Sequence, residues 1–223
     1  MARLVSKIFS EADLSQISAA VKEAETRTSG EIVPYVVEQS DSYDEAMWKA
    51  GFMFGFVVIA ALVSVHSFTT VWLPLDFAEM TLISLLLGGG GMLLARFVAP
   101  VRRLFAGADV TERRVSQRAA EAFIAEEVFA TRERTGILIF LSLLERRVLV
   151  LGDSGINAKV DQSQWDEIVQ LIVSSIHEGK PAEGLIAAIK KCGALLQKEG
   201  VERLADDTNE IPNYLRAGDK PNS

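Results

Sequence analysis

Residues 50–68 read AGFMFGFVVIAALVSVHSF, and residues 80–95 read MTLISLLLGGGGMLLA. The first stretch carries no formally charged side chain. As a helix rising about 1.5 Å per residue it reaches roughly 28 Å, close to the hydrocarbon thickness of a bilayer. The second continues through Arg96 to Phe97, Val98 and Ala99. Arg96 can snorkel to the interface, so the segment over about 80–99 also reaches across. Both stretches are apolar on every side, whereas helices of soluble domains usually keep a polar face. The pattern predicts a two-helix transmembrane hairpin over 50–100. The alternative is a pair of core helices buried in a soluble domain.

The charges around the hairpin predict its orientation. Lys49 precedes the first span, and Arg102 and Arg103 follow the second, with Arg113, Arg114 and Arg118 soon after. The connection 69–79 has no Lys or Arg and carries Asp76 and Glu79. The positive-inside rule places both chain ends in the cytoplasm and the connection outside. Trp48 and Trp72 suit the two interfaces. Arg102, Arg103, Arg113 and Arg114 are candidate contacts for anionic lipid headgroups, with a solvated helix face as the alternative.

Gly51 and Gly55 have the spacing that lets membrane helices approach closely, and Gly88 to Gly91 offer a second smooth surface. Four successive glycines also weaken a helix, which leaves room for a kink there. No ionisable pair in the spans marks a transport path, and His66 sits near a span end.

Outside the hairpin the chain reads as one α/β domain cut in two, residues 1–49 and 101–200, followed by a polar, flexible tail over 201–223. Ser10 with Asp13 three residues later is a variant of the capping box. Leu14, Ile17, Val21 and Ala24 then form a helical apolar stripe. Glu31–Glu38 reads as a strand, with Pro34 predicting an edge position or a bulge. A helix beginning at Asp44 runs into the first span. Asp109–Arg134 reads as one long helix with Val115, Ala119, Ala122, Phe123, Phe129 and Ala130 inward. Gly136–Leu144 and Val148–Gly152, joined by Glu145-Arg146-Arg147, predict a β-hairpin. Their two-sided apolarity suits a small mixed sheet sandwiched between helices. Gln162–Glu178 should bury Trp165, Ile168, Val169, Ile172 and Ile176. Pro181–Lys198 should bury Leu185, Ile189, Cys192 and Leu196, with Pro181 in its first turn. In the tail, Ile211-Pro212 and Tyr214-Leu215 are local docking candidates. One strand before the hairpin cannot stand alone, so it must pair with the two that follow.

The 223 residues carry a formal net charge of −7. That balance speaks against nucleic acid as a partner. The lone cysteine, Cys192, allows no disulfide within a chain and fits a reduced compartment. No signal peptide is expected from the first ten residues. There is no Cys/His metal cluster, P-loop or dinucleotide fingerprint. The composition leaves the oligomeric state open, a homo-oligomer included.

This order of elements resembles the TPM domain family, named after thylakoid lumen, photosystem repair and receptor-auxiliary proteins. The matching residues run Thr28 to Pro34 (TSGEIVP), Thr135 to Ile139 (TGILI), Arg147 to Asp153 (RVLVLGD) with Gly155-Ile156, then Gly179 and Gly184 to Ile189 (GLIAAI). The resemblance covers about 10–40 and 109–200. It implies a small sheet between helices. Many members carry a Gly-Tyr-Gly-x-Glu-type segment after the last strand. Here Gly152 to Asn157 reads GDSGIN, and the acidic residue is not matched. The chain looks like the subtype with an internal membrane hairpin. That implies a multi-pass protein of the bacterial cytoplasmic (inner) membrane with its soluble domain inside. Bacterial relatives often occur beside LemA-type membrane proteins, so the resemblance also implies such a partner.

Asp153, Asn157 and Asp161, between the last strand and a helix, form the polar group best placed for chemistry. Their oxygens suit Ca²⁺ or Mg²⁺, and Ser40 and Asp41 are candidates to join them from the end of the first strand. The alternative is turn chemistry at Asp153 and a helix cap at Asp161. Glu31, at a strand start, reads as exposed, with a buried acid as the alternative. His177 reads as a surface residue at a helix end. Ser–His–Asp catalysis has no support with only two histidines.

Two functions follow. One is a membrane-anchored accessory protein that binds another membrane protein and supports its assembly, maintenance or regulation. The other, implied by the phosphatase activity proposed for a plant family member, is a divalent-metal-dependent phosphatase at the cytoplasmic membrane surface. In it Asp153 would be a metal ligand or a nucleophile.

Overall fold

The computed structural model describes residues 5–68, 75–201, 203 and 210–218. Trp72, most of the hairpin connection, and tail residues 204–209 and 219–223 lie outside them. The chain divides into two compact units. One comprises Met1–Asp41 with Arg114–Ser223, the other Ser42–Arg113.

The first unit opens with one turn of helix, α1 (Val5–Ile8), and then α2 (Glu11–Glu25). Ser10 caps α2 as predicted. Its hydroxyl accepts from the Asp13 amide at 3.2 Å, and the Asp13 carboxylate accepts from the Ser10 amide at 2.8 Å. Strand β1 (Ile32–Val37) follows.

The second unit holds α3 (Asp44–Phe68), α4 (Phe77–Phe97) and α5 (Ala99–Ala106). Both α3 and α4 are long and apolar enough to cross a membrane. They pack as a hairpin through glycine. A Cβ on Gly88 would lie 3.0 Å from the Gly51 carbonyl oxygen, and one on Gly55 would lie 3.2 Å from that of Ser84. Gly91 faces the Phe54 ring, while Gly89 and Gly90 have open space. α4 runs helical through all four glycines. The helix expected to reach residue 99 stops at Phe97. Val98 is extended, and Pro100 lies in the first turn of α5.

The chain returns to the first unit along α6 (Ala108–Ala125), then β2 (Ile137–Ser142) and β3 (Arg147–Gly152). The helix expected to continue to Arg134 ends nine residues earlier. Glu127 is left-handed (φ 53), and the Val128 amide donates back to Phe123 O at 3.1 Å. Phe129 and Ala130 therefore sit in the turns that follow rather than on the helix. No Gly or Pro marks this stop. The turn is met instead by Gly136, whose missing Cβ would lie 2.0 Å from Val128 O. A single turn, α7 (Ser154–Asn157), precedes α8 (Gln162–His177) and α9 (Pro181–Lys198). Strand β4 (Arg216–Ala217) closes the sheet from within the tail read as polar.

The strand order is β3-β2-β1-β4. β1 is parallel to β2 and to β4, and β3 is antiparallel to β2. Pro34 thus sits in an interior strand, not at an edge. β4 pairs only with Tyr35 and Val36, so its ladder begins after the residue that lacks an N–H. Alternation divides the sheet's two faces. Ile32, Val36, Ile137, Ile139 and Leu141 meet α2, α8 and α9, while Val33, Tyr35, Val37, Leu138 and Phe140 meet α6. Each such fully buried Ile or Leu contributes about 2 kcal/mol. Leu215 joins the first core and Ile211 the second, which anchors the tail. Tyr214 and Ile176 are exposed. At the end of α8, Ser175 rather than Ile176 meets α9, at Gly184.

Candidate functional site

The antiparallel course of β3 decides what Asp153 can meet. Gly152 pairs with Ile137, so Asp153 lies at the amino-terminal edge of β1 and β2. Ser40 and Asp41 follow the other end of β1. They lie at the opposite edge of the sheet and cannot join Asp153.

Asp153 is buried, with 5% of its surface exposed. Its amide donates to Gly136 O at 2.8 Å. Its Oδ1 accepts from the Ser154 amide at 2.6 Å and from Arg134 Nη2 at 3.1 Å, and Arg134 Nε lies 2.7 Å from Oδ2. Arg134 is left-handed (φ 59) and stands over the Phe129 ring. Gly155 is the one residue the turn admits, since a Cβ there would lie 2.2 Å from Glu133 O. Asn157 and Asp161 are exposed. Asp161 is the N-cap residue of α8, and its amide donates to Gln164 Oε1 at 3.2 Å. The best-buried carboxylate of this group is already neutralised by arginine, so the three residues make a poor donor set for Ca²⁺ or Mg²⁺. Among the described residues no three Asp, Glu, His or Cys are grouped to hold a metal ion.

A second polar cluster lies along the same edge and was missed in the sequence. Glu31, read as exposed, is buried, and so is Glu25 in the last turn of α2. Glu25 Oε1 accepts from the Ile32 amide at 3.0 Å, and Oε2 accepts from Asn213 Nδ2. Glu31 Oε1 accepts from the Glu210 amide at 3.0 Å. Burial pushes the Glu25 carboxyl up to about 8. The Ile32 amide opposes that rise, the adjacent Glu31 adds to it by charge and by a side-chain hydrogen bond, and Arg216 also opposes it. Glu25 and Glu31 line a cleft of about 310 Å³ with Lys22, Thr26, Thr28, Arg203 and Asn213.

Arg216 organises the tail from inside. It is 5% exposed and pairs through Nε with Glu126. Its two terminal nitrogens donate to Tyr214 O at 3.2 Å and Pro212 O at 2.9 Å. A signal for this cluster does exist in the sequence. Glu25 stands four residues after Val21 and eight after Ile17, on the apolar stripe itself.

At the opposite edge Glu145 accepts from the Ser40 amide at 2.8 Å and from the Ser142 hydroxyl, and the two serine oxygens are 2.7 Å apart. All three residues are buried. Their polar atoms satisfy one another, which is how a structural network behaves. Asp41 pairs with Arg114 at 2.7 Å. Of the other candidate headgroup residues, Arg113 Nε donates to Asp109 O at 3.4 Å and Arg102 turns back to carbonyls of α4. Cys192 is fully buried, and burial pushes its thiol up to about 12. His177 is exposed at the end of α8.

Comparison with known proteins agrees with this architecture. Residues 97–195 match the TPM domain model. The NMR structure of BA42 protein from the psychrophilic bacterium Bizionia argentinensis shares the fold. Its TM-score is 0.56 at 20% sequence identity, over 94% of this chain and 95% of that one. Among curated proteins, none matches the sequence.

Proposed function

We propose that this chain is a membrane-anchored accessory protein. Its α3–α4 hairpin crosses the cytoplasmic membrane, both chain ends and the TPM-like domain lie on the cytoplasmic side, and the domain binds another membrane protein to support its assembly, maintenance or regulation. The observation that carries the reading is the outer surface of the hairpin. Phe52, Phe56, Leu85, Leu86, Leu93 and Phe97 are all largely exposed, on two helices long and apolar enough to cross a membrane. Soluble monomers rarely leave contiguous apolar patches beyond a few hundred Å² uncovered. The orientation rests on Lys49, Arg96, Arg102 and Arg103 at one end of the hairpin against Asp76 and Glu79 at the other. The accessory role is favoured over phosphoryl chemistry at Asp153 because that carboxylate serves Arg134 and the Ser154 amide.

The test is crosslinking in native membranes, followed by mild-detergent purification of the tagged full chain and identification of what accompanies it. The expected result is a stoichiometric membrane protein that is lost when exposed residues of the soluble domain are replaced. Purification alone, together with Mg²⁺- or Ca²⁺-dependent hydrolysis of phosphate esters that Asp153→Asn abolishes, would replace the accessory role with the enzymatic one.

A further inference from the structure

We propose that α5 is an interfacial helix. It would lie where the hairpin leaves the bilayer, and the basic end of the hairpin would bind anionic phospholipid headgroups there. The inference rests on the membrane reading above and adds a lipid class and a site to it.

The geometry within the hairpin unit carries the placement. After the extended residue Val98 the chain folds back along the hairpin instead of leaving it. The Phe105 ring packs against Phe54 with centroids 6.4 Å apart, and Ala106 is buried. Phe54 lies about one helical turn inside the apolar stretch that begins at Ala50. A helix packed on it is held at the depth of the first membrane turn. Arg102 fixes the same fold-back from the other side. Its Nε donates to Ala95 O at 3.2 Å and its Nη2 to Arg96 O, so the guanidinium satisfies two carbonyls in the last turn of α4. In water these contacts would leave Phe97 and Leu104 77% and 76% exposed. At an interface those side chains enter the acyl boundary.

The charges select the headgroup. Lys49 and Arg96 are exposed at this end of the antiparallel pair, beside Arg102 and Arg103 of α5. No acidic residue occurs between Met80 and Ala108. The acids next in sequence to this end are Asp44 and Glu45, a turn further out along α3, and Asp109 in α6. Basic residues beside a span attract anionic lipid by about 1 kcal/mol each.

The experiment uses the full chain in vesicles of phosphatidylcholine with or without phosphatidylglycerol. A fluorophore is attached at Leu104→Cys or, separately, at Phe56→Cys, since native Cys192 is buried. Quenching by shallow nitroxide lipids reports depth, and the association of spin-labelled phosphatidylglycerol relative to phosphatidylcholine reports selectivity. The expected result is lipid quenching at both positions. Selectivity for phosphatidylglycerol should also fall about fivefold in Arg96→Gln and again in Lys49→Gln. A probe at 104 that only aqueous iodide quenches, or that a second copy or partner shields from both quenchers, overturns the placement of α5. Selectivity unchanged in both variants overturns headgroup binding. Failure of the hairpin itself is distinct, because the probe at 56 would then also escape lipid quenching.

Discussion

The stability of the unsubstituted chain is expected to fall as pH rises, and Glu25→Gln is expected to abolish that fall. The Glu25 carboxyl sits at about 8 in the folded protein against 4.5 for the free group, with burial as the first cause. Between those values the folded chain holds a proton that the unfolded chain has released. Stability therefore decreases as pH increases through that window and levels off above it. The groups around Glu25 set where the effect is felt. Glu31 and Arg216 act on it by charge, the Ile32 amide and Asn213 donate to it, and Lys22 and Arg203 line the same cleft. Ionisation puts a buried charge beside Glu31, and residues 210–218 cover the pair through Asn213 and the Glu210 amide, so water should reach that charge by loosening this segment first. Hydrogen exchange over that segment, corrected for intrinsic rate, should be at least about tenfold faster at pH 8.5 than at pH 5.5 in the unsubstituted chain, a difference of about 1.4 kcal/mol. In Glu25→Gln, whose amide supplies the N–H that a protonated carboxyl supplies as O–H, the two pH values should agree. Equal pH dependence in both proteins would mean that Glu25 is not the group that titrates.

The second large effect is expected from Gly88→Leu. A Cβ there already meets the Gly51 carbonyl oxygen at 3.0 Å and lies 3.5 Å from Gly55 Cα, so a leucine must separate α3 from α4. Overpacking of this kind costs about 1–3 kcal/mol. Gly89→Leu provides the control, since Gly89 faces open space and gains the same helix propensity. Thermal melting in mild detergent should show Gly88→Leu about 5 °C below Gly89→Leu. Coincident melting curves would show that the hairpin does not pack through its glycines.

The elements that were legible in the sequence are those whose signals are local. Ser10 with Asp13, Pro181, the continuous apolar run across Ile137–Ser142 and the polar triplet before Val148 mark their own boundaries. The GxxxG spacing at Gly51 and Gly55 likewise showed which side of α3 meets α4. The features that were missed depend on chain segments that are remote in sequence. Strand β4 is only two residues long and forms because Leu215 and Ile211 dock on the two faces of a sheet built elsewhere. That docking makes β1 interior and buries Glu31. The end of α6 has no Gly or Pro breaker in its own sequence, and the turn that follows it packs against the remote Gly136. The candidate site was half legible. Asp153 was read as a strand-end acid, and it does follow the last residue of β3. Its pairing with Arg134 was not visible, and neither was its separation from Ser40 and Asp41, which follows from the direction of β3.

Membrane anchoring is tested most directly by locating the two chain ends relative to the bilayer. The full chain, tagged at both ends, would be expressed in a bacterial host. Isolated membranes would be washed with alkaline carbonate, and separate, sealed spheroplasts and inverted vesicles would be exposed to protease. A hairpin that crosses the bilayer predicts that the protein stays in the carbonate pellet, with both tags protected in spheroplasts and both removed in inverted vesicles. Release into the carbonate supernatant, or tags that become accessible on opposite sides, would contradict it.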